Sequence, residues 1–134
     1  MITPYLLYED VAGAIKFLSK AFGFRKSGST MSDSNGRLTH AAMNIGNDVI
    51  MMGYPGRKYR NPKRLGGATQ MLYVKVNDAD KHFARAQKAG AKILEGPEDT
   101  FYGHRRYGAE DPEGHQWYFF HEIRTRSTSK HRQL

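Results

Sequence analysis

The sequence predicts an α+β fold built from two tandem βαβββ modules whose sheets share one interior. Three observations lead there. A short apolar strand followed by an amphipathic helix occurs twice in the chain. The helix starts (Glu9-Asp10 and Asn77-Asp78) and the helix stops (Gly23 and Gly90) recur at a spacing of about 67 to 68 positions, which marks a duplicated supersecondary unit. The 134 residues, 39% hydrophobic and 25% charged, suffice for one core but not for two independent domains.

Pro4-Tyr5-Leu6-Leu7-Tyr8 is an apolar and aromatic run that reads as a buried strand. Asp10 is a suitable N-cap, and Val11, Ala14, Ile15, Leu18, Ala21 and Phe22 recur at spacings of three and four as one helix face. Gly23 ends that helix. Phe24 to Ser29 is a strand, Asp33-Ser34-Asn35-Gly36 a turn, and Leu38–Ile45 and Val49–Met52 are strands joined through Gly46-Asn47-Asp48. Tyr54 to Gly67, with two prolines, three glycines and a basic cluster, reads as the linker.

The order then repeats. Met71 to Val76 is a strand, and the helix after Asn77-Asp78 presents Ala79, Phe83 and Ala86 and stops at Ala89-Gly90. His82 falls on its polar side. Lys92-Ile93-Leu94 is a strand leading to Gly96-Pro97, and a loop through Tyr102-Gly103-His104 leads to a strand near Arg105 to Glu110. Asp111-Pro112-Glu113-Gly114 is a hairpin turn, where proline fixes φ and glycine accepts a positive φ, and His115 to Glu122 is a final aromatic strand. Residues 1–122 thus form one domain, with module one at 1–56, a linker at 57–68 and module two at 69–122. Residues 123–134 form a basic tail.

Composition excludes several chemistries. With no cysteine, the chain has no disulfide, thiolate metal site or cysteine nucleophile. No apolar run approaches the roughly 18 residues that span a bilayer, and the start lacks the pattern of a secretory signal, so a cytoplasmic protein is expected. The net charge of +8 gathers in the tail (Arg124, Arg126, Lys130, Arg132) and in Arg57-Lys58-Tyr59-Arg60-Asn61-Pro62-Lys63-Arg64. Either could meet an acidic partner or a nucleic-acid backbone. Only Tyr59 supplies a stacking ring there, so a solvated loop and tail are the expected reading, and nucleic-acid binding is not.

The paired modules, the helix exits Phe22-Gly23-Phe24 and Ala89-Gly90-Ala91, and the stretch from Gly103 to Trp117 with its strand–Asp-Pro-x-Gly–strand pattern resemble the vicinal oxygen chelate superfamily. This superfamily holds glyoxalases, bleomycin-resistance proteins and ring-cleaving dioxygenases. The opening Thr3-Pro4-Tyr5-Leu6 further resembles its branch of proteins similar to the phosphonate-operon accessory protein. The resemblance covers roughly residues 2 to 122. It implies an open, curved mixed sheet around a cavity, and a homodimer.

Metal-dependent members of that superfamily place His or Glu on four strands. The corresponding positions here are Thr3, Met51, Met71 and Tyr118. A slip of one residue moves them to Ile2 or Pro4, Ile50 or Met52, Gln70 or Leu72, and Trp117 or Phe119. None is a carboxylate or imidazole, and thioethers and neutral hydroxyls are poor ligands for hard or borderline cations. No metal or other cofactor is therefore expected. A composite site from His40, His104 and His115 is the alternative. It would serve a lyase or dioxygenase-type enzyme holding a divalent metal at non-standard positions.

Strand alternation places Thr3, Tyr5, Leu7, Val49, Met51, Met71, Tyr73, Lys75, Gln116, Tyr118 and Phe120 toward the cavity. It places Pro4, Leu6, Tyr8, Ile50, Met52, Leu72, Val74, Val76, Trp117 and Phe119 under the helices. The expected ligand-binding residues are Tyr5, Leu7, Met51, Met71, Tyr73, Tyr102, His104, Arg106, Tyr118 and Phe120, an aromatic and thioether wall suited to flat ligands. Arg105, Arg106 and His104 are expected at the rim. There an arginine meets either an anionic ligand group or a carboxylate of Glu110 or Asp111. The function so read is sequestration, without metal, of a flat aromatic or anionic small molecule.

Overall fold

The computed structural model describes residues 1–124. Of the basic tail, residues 125–134 lie outside the described residues. Both modules have the expected order. Module one runs β1 (Tyr5–Leu7), α1 (Val11–Phe22), β2 (Arg25–Ser32), β3 (Leu38–Ile45) and β4 (Asp48–Gly53). A short helix, α2 (Pro62–Leu65), follows in the segment read as linker, and module two is β5 (Met71–Lys75), α3 (Ala79–Lys88), β6 (Lys92–Asp99), β7 (His104–Glu110) and β8 (Gln116–Glu122). The eight strands divide into two four-stranded mixed sheets of identical order, β1-β4-β3-β2 and β5-β8-β7-β6. In each, the first strand runs parallel to the last and the remaining pairs are antiparallel.

Local chemistry explains the boundaries. Asp10 and Asp78 cap α1 and α3 by accepting from the backbone N–H groups of Gly13 and Lys81. Gly23 ends α1 at φ 81°, a left-handed conformation that a side chain would strain. β6 runs five residues past the expected end at Leu94, through Gly96-Pro97. It is an edge strand with register shifts at Glu95, so a missing N–H and a proline ring are tolerated there. Edge strand β2 is irregular at the equivalent place, between Ser27 and Met31.

One core lies beneath the two helices. Leu18, Phe22, Phe24, Met43, Met52, Tyr107, Trp117 and Phe119 are fully or almost fully buried in it, and each large side chain contributes about 1.5–3 kcal/mol by leaving water. The strand parity expected for this face holds: Leu6, Tyr8, Ile50, Met52, Trp117 and Phe119 are buried. Phe24 of module one packs edge-on against Trp117 of module two, with centroids 5.3 Å apart.

Polar contacts lock the modules further. Arg85 on α3 donates to the carbonyls of Ser19 and Lys20 at the end of α1, both at 2.9 Å. His82, expected on a polar face, is instead held between the Tyr107 hydroxyl and the Phe22 carbonyl. Burial lowers its pKa below the ordinary histidine value.

The Asp111-Pro112-Glu113-Gly114 turn does more than reverse the chain. Buried Asp111 accepts from the Tyr8 hydroxyl at 2.5 Å and from the Trp117 indole at 3.1 Å. Glu113 accepts from the backbone of Glu9 and Asp10 and from the Asn61 amide. Module two thereby holds the start of α1 and the segment carrying α2.

Candidate functional site

The faces of the sheets turned away from the helices carry the expected ligand-binding residues. They form two groups, one per sheet. On the first sheet Tyr5 pairs in register with Met51, and its ring lies over Gly53, where any Cβ would collide with the phenol. The Tyr5 hydroxyl is 3.2 Å from His40 Nδ1. Leu7, partly buried, continues β1, and Met31 joins the face from β2.

The second sheet gathers the rest. Tyr73 stacks on Phe120 at 4.5 Å and 18°, and His104 stacks on Phe120 at 4.2 Å and 20°. The Tyr73 hydroxyl reaches His104 Nδ1 at 2.8 Å and the Tyr102 hydroxyl at 3.3 Å. Burial and the Tyr102 hydrogen bond push the Tyr73 phenol far above its ordinary pKa, and burial lowers that of His104. At neutral pH the ring cluster is thus uncharged. Met71 flanks it on β5.

Tyr118 lies against Gly108, where a Cβ would strike its ring, and its hydroxyl donates to Glu95 at 3.3 Å. Arg106 covers that ring with its guanidinium 5.2 Å from the centroid, and its Nη2 is 3.5 Å from both Glu95 and Glu98. Arg106 Nε is buried without a hydrogen-bond partner.

Two expectations at the rim are corrected. Arg105 is not on this face: β7 alternation turns it to the helix side, where it pairs with Asp80 and Asp99. Neither arginine meets Glu110 or Asp111. Glu110 pairs with Lys92, and Asp111 is buried in the junction.

In the single chain these faces are open. Tyr5, Met51, Met71 and Tyr73 are 53%, 36%, 49% and 41% exposed. A cleft of about 400 Å³ lies between residues 1–4 with the start of β4 and the outer edge of β5; Tyr73 lines it, with helix-side residues such as Phe24 and Trp117, and Tyr5, Met51 and Met71 do not. Another, of about 460 Å³, lies at Tyr54, Arg57, Tyr59, Arg60 and Arg64, where Glu9 binds the Arg64 fork at 2.7 and 2.9 Å.

The donors at the superfamily's metal positions do not fit a metal. Met51 and Met71 offer thioethers, and Thr3 a neutral hydroxyl. The Tyr118 phenol is committed to Glu95 and held protonated by burial. The composite histidine set is not brought together. His40 lies on the first open face and His104 on the second, while His115 Nε2 donates to the Leu7 carbonyl at the junction. Among the described residues no three His, Cys, Asp or Glu side chains are grouped so as to hold a metal ion. No helix among them is long and apolar enough to cross a membrane.

Sequence reasoning missed Glu95 and Glu98. Their face was hidden by the irregular register of β6, although charges spaced three apart on either side of Gly96-Pro97 were a signal. It also missed His121, whose Nδ1 accepts from the Ala79 N–H at the start of α3.

Comparison with known proteins gives a consistent result. The sequence model of the Glyoxalase/Bleomycin resistance protein/Dioxygenase superfamily matches residues 3–119. An uncharacterized protein of Mycobacterium tuberculosis (strain H37Rv) is 35% identical over 121 residues, covering 87% of this chain and 71% of that protein. The crystal structure of TioX from Micromonospora sp. ML1 superposes with a TM-score of 0.74 at 31% identity, covering 91% of this chain and 98% of TioX. TnmS3, an antibiotic binding protein from Streptomyces sp. CB03234, shares the fold with a TM-score of 0.68 at 19% identity, covering 88% and 91% of the two chains. The chain belongs to the glyoxalase/bleomycin resistance protein/dioxygenase superfamily.

Proposed function

We propose that the protein binds and sequesters a flat small molecule without a metal, on the open face of its second sheet. The observation that carries this reading is the ring cluster of Tyr73, His104 and Phe120, stacked within 4.2 to 4.5 Å on a face that no helix covers. Stacked rings fixed by their own hydrogen bonds make a rigid platform that loses little entropy on binding. Tyr5, Leu7 and Met51 on the first sheet, with Met71, Arg106 and Tyr118 on the second and Tyr102 from the loop between β6 and β7, supply the remaining walls. TnmS3, of the same fold and an antibiotic binding protein, is a precedent for binding rather than turnover.

Two open apolar faces on one chain favour a homodimer in which the first sheet of one copy covers the second sheet of the other. Each ligand would then lie between Tyr5 and Met51 of one protomer and the ring cluster of its partner. The expected setting is cytoplasmic.

The test is calorimetric titration of chelator-treated protein with planar aromatic compounds of different charge, followed by chromatography of the recovered compound. Saturable binding with the compound recovered unchanged is expected. Binding that needs an added divalent ion, or conversion of the compound, would refute the reading.

A further inference from the structure

We infer that the ligand of the second open face is a planar cation, a flat ring system carrying a protonated amine or amidinium, and that Glu95 and Glu98 select for it. The inference rests on the proposed ligand face and adds the charge of what binds there. It departs from the anionic ligand that Arg106 suggests in the sequence.

Arg106 is already engaged. Its Nη2 lies 3.5 Å from carboxylate oxygens of both Glu95 and Glu98, and its Nε is buried, so the Nε–Nη2 edge that grips carboxylates and phosphates is closed to an incoming anion. The carboxylates are less committed. Glu95 and Glu98 side chains are 45% and 57% exposed, and one arginine is the only positive charge serving both, the Tyr118 hydroxyl on Glu95 being neutral. The other ion pairs of this face, Lys75–Glu122 and Lys92–Glu110, are balanced. One surplus carboxylate therefore remains beside the rings, on a chain of net charge +8.

The rings point the same way. Tyr73, 41% exposed, and partly buried Phe120 present π faces, which attract cations, and the Tyr118 ring already carries the Arg106 guanidinium over its face. His104, neutral at physiological pH because burial disfavours its charged form, does not repel them. The field of the whole protein favours anions, so a preference for a cation can only arise locally, which makes it diagnostic.

Three planar probes of similar size separate the outcomes at pH 7.5 in the full chain: proflavine (cation), acridone (neutral) and anthracene-2-carboxylate (anion). Proflavine should bind about tenfold or more tighter than the carboxylate, and weaken as salt rises. Glu95→Gln with Glu98→Gln should lower proflavine affinity by about tenfold and raise that of the carboxylate, because the negative charge beside the rings is removed. Glu98→Gln alone, which removes only an exposed ion pair, gives a milder change in the same direction in a protein whose melting curve matches the wild type. If the probes bind equally, or the anion binds best, and Phe120→Ala weakens binding about tenfold or more, the charge assignment is overturned and the ligand face stands. If no probe binds, or Phe120→Ala changes nothing, the ligand face falls and the inference with it.

Discussion

Tyr5 on β1 and Tyr73 on β5 stand at equivalent points of the duplicated modules. Each is the in-register neighbour of the position that is Met51 in one sheet and Tyr118 in the other, and each phenol meets a histidine Nδ1. Around that shared pair the faces diverge. The first has thioethers and one imidazole beside Tyr5, whereas the second adds Phe120, Tyr118, Tyr102 and the Arg106–Glu95–Glu98 cluster. A duplicated scaffold keeps its backbone because the helix-side core demands it. Its exposed strand positions carry no such demand, so they can take on chemistry in one copy and serve as cover in the other.

The comparison breaks most completely if the modules are uncoupled. Asp111→Ala strips partners from the Tyr8 hydroxyl, the Trp117 indole and two backbone N–H groups of its own turn. Unsatisfied buried donors should lower unfolding free energy by about 3 kcal/mol or more in urea melts. A loss below 1 kcal/mol would mean that the turn is not the joint described.

The next effect sharpens the contrast between the faces. Phe120→Ala should weaken binding of a planar probe about tenfold, since a stacked ring is worth about 0.5–1.5 kcal/mol beyond the apolar area it buries. Met51→Ala on the opposite sheet should weaken it about threefold or less. Equal losses from both would contradict the division of labour.

A smaller effect concerns the α1–α3 contact. His82 has a lowered pKa in the fold, so the unfolded chain binds its proton more readily. This contribution to stability is present above the ordinary histidine pKa and fades as pH falls through and below it. Stability should therefore decline from pH 7 to pH 5, and His82→Gln should flatten that part of the profile. An unchanged slope in the variant would assign the acid sensitivity elsewhere. Smallest of all, Lys92→Gln removes an exposed partner of Glu110 and should shift stability by about 0.5 kcal/mol or less in thermal melts.

Much of the architecture was readable in the sequence because it is local. Asp10, Gly23, Asp78 and the three-and-four spacing of Leu18 and Phe22 act within a few residues, and strand parity sorted Leu6, Met52 and Trp117 from Tyr5, Met51 and Met71. What the sequence hid depends on contacts far apart in the chain. Glu113 holds backbone groups 103 and 104 positions away, and Arg85 caps a helix 65 positions earlier. No periodicity encodes such partners. The run of β6 through Pro97 was obscured because proline ordinarily marks a break, and edge position removes that penalty. That misreading concealed the facing of Glu95 and Glu98, and with it the charge of the site.

Mapping where a planar probe lands decides whether the second sheet carries a metal-independent ligand face. Chelator-treated, ¹⁵N-labelled protein would be titrated with the tightest-binding of the three probes and followed by amide chemical shifts. Saturable shifts largest at Tyr73, His104, Arg106 and Phe120, persisting in excess chelator, are expected. Shifts centred instead on the Arg57–Arg64 segment, or the absence of saturable shifts with any probe, would contradict a ligand face there.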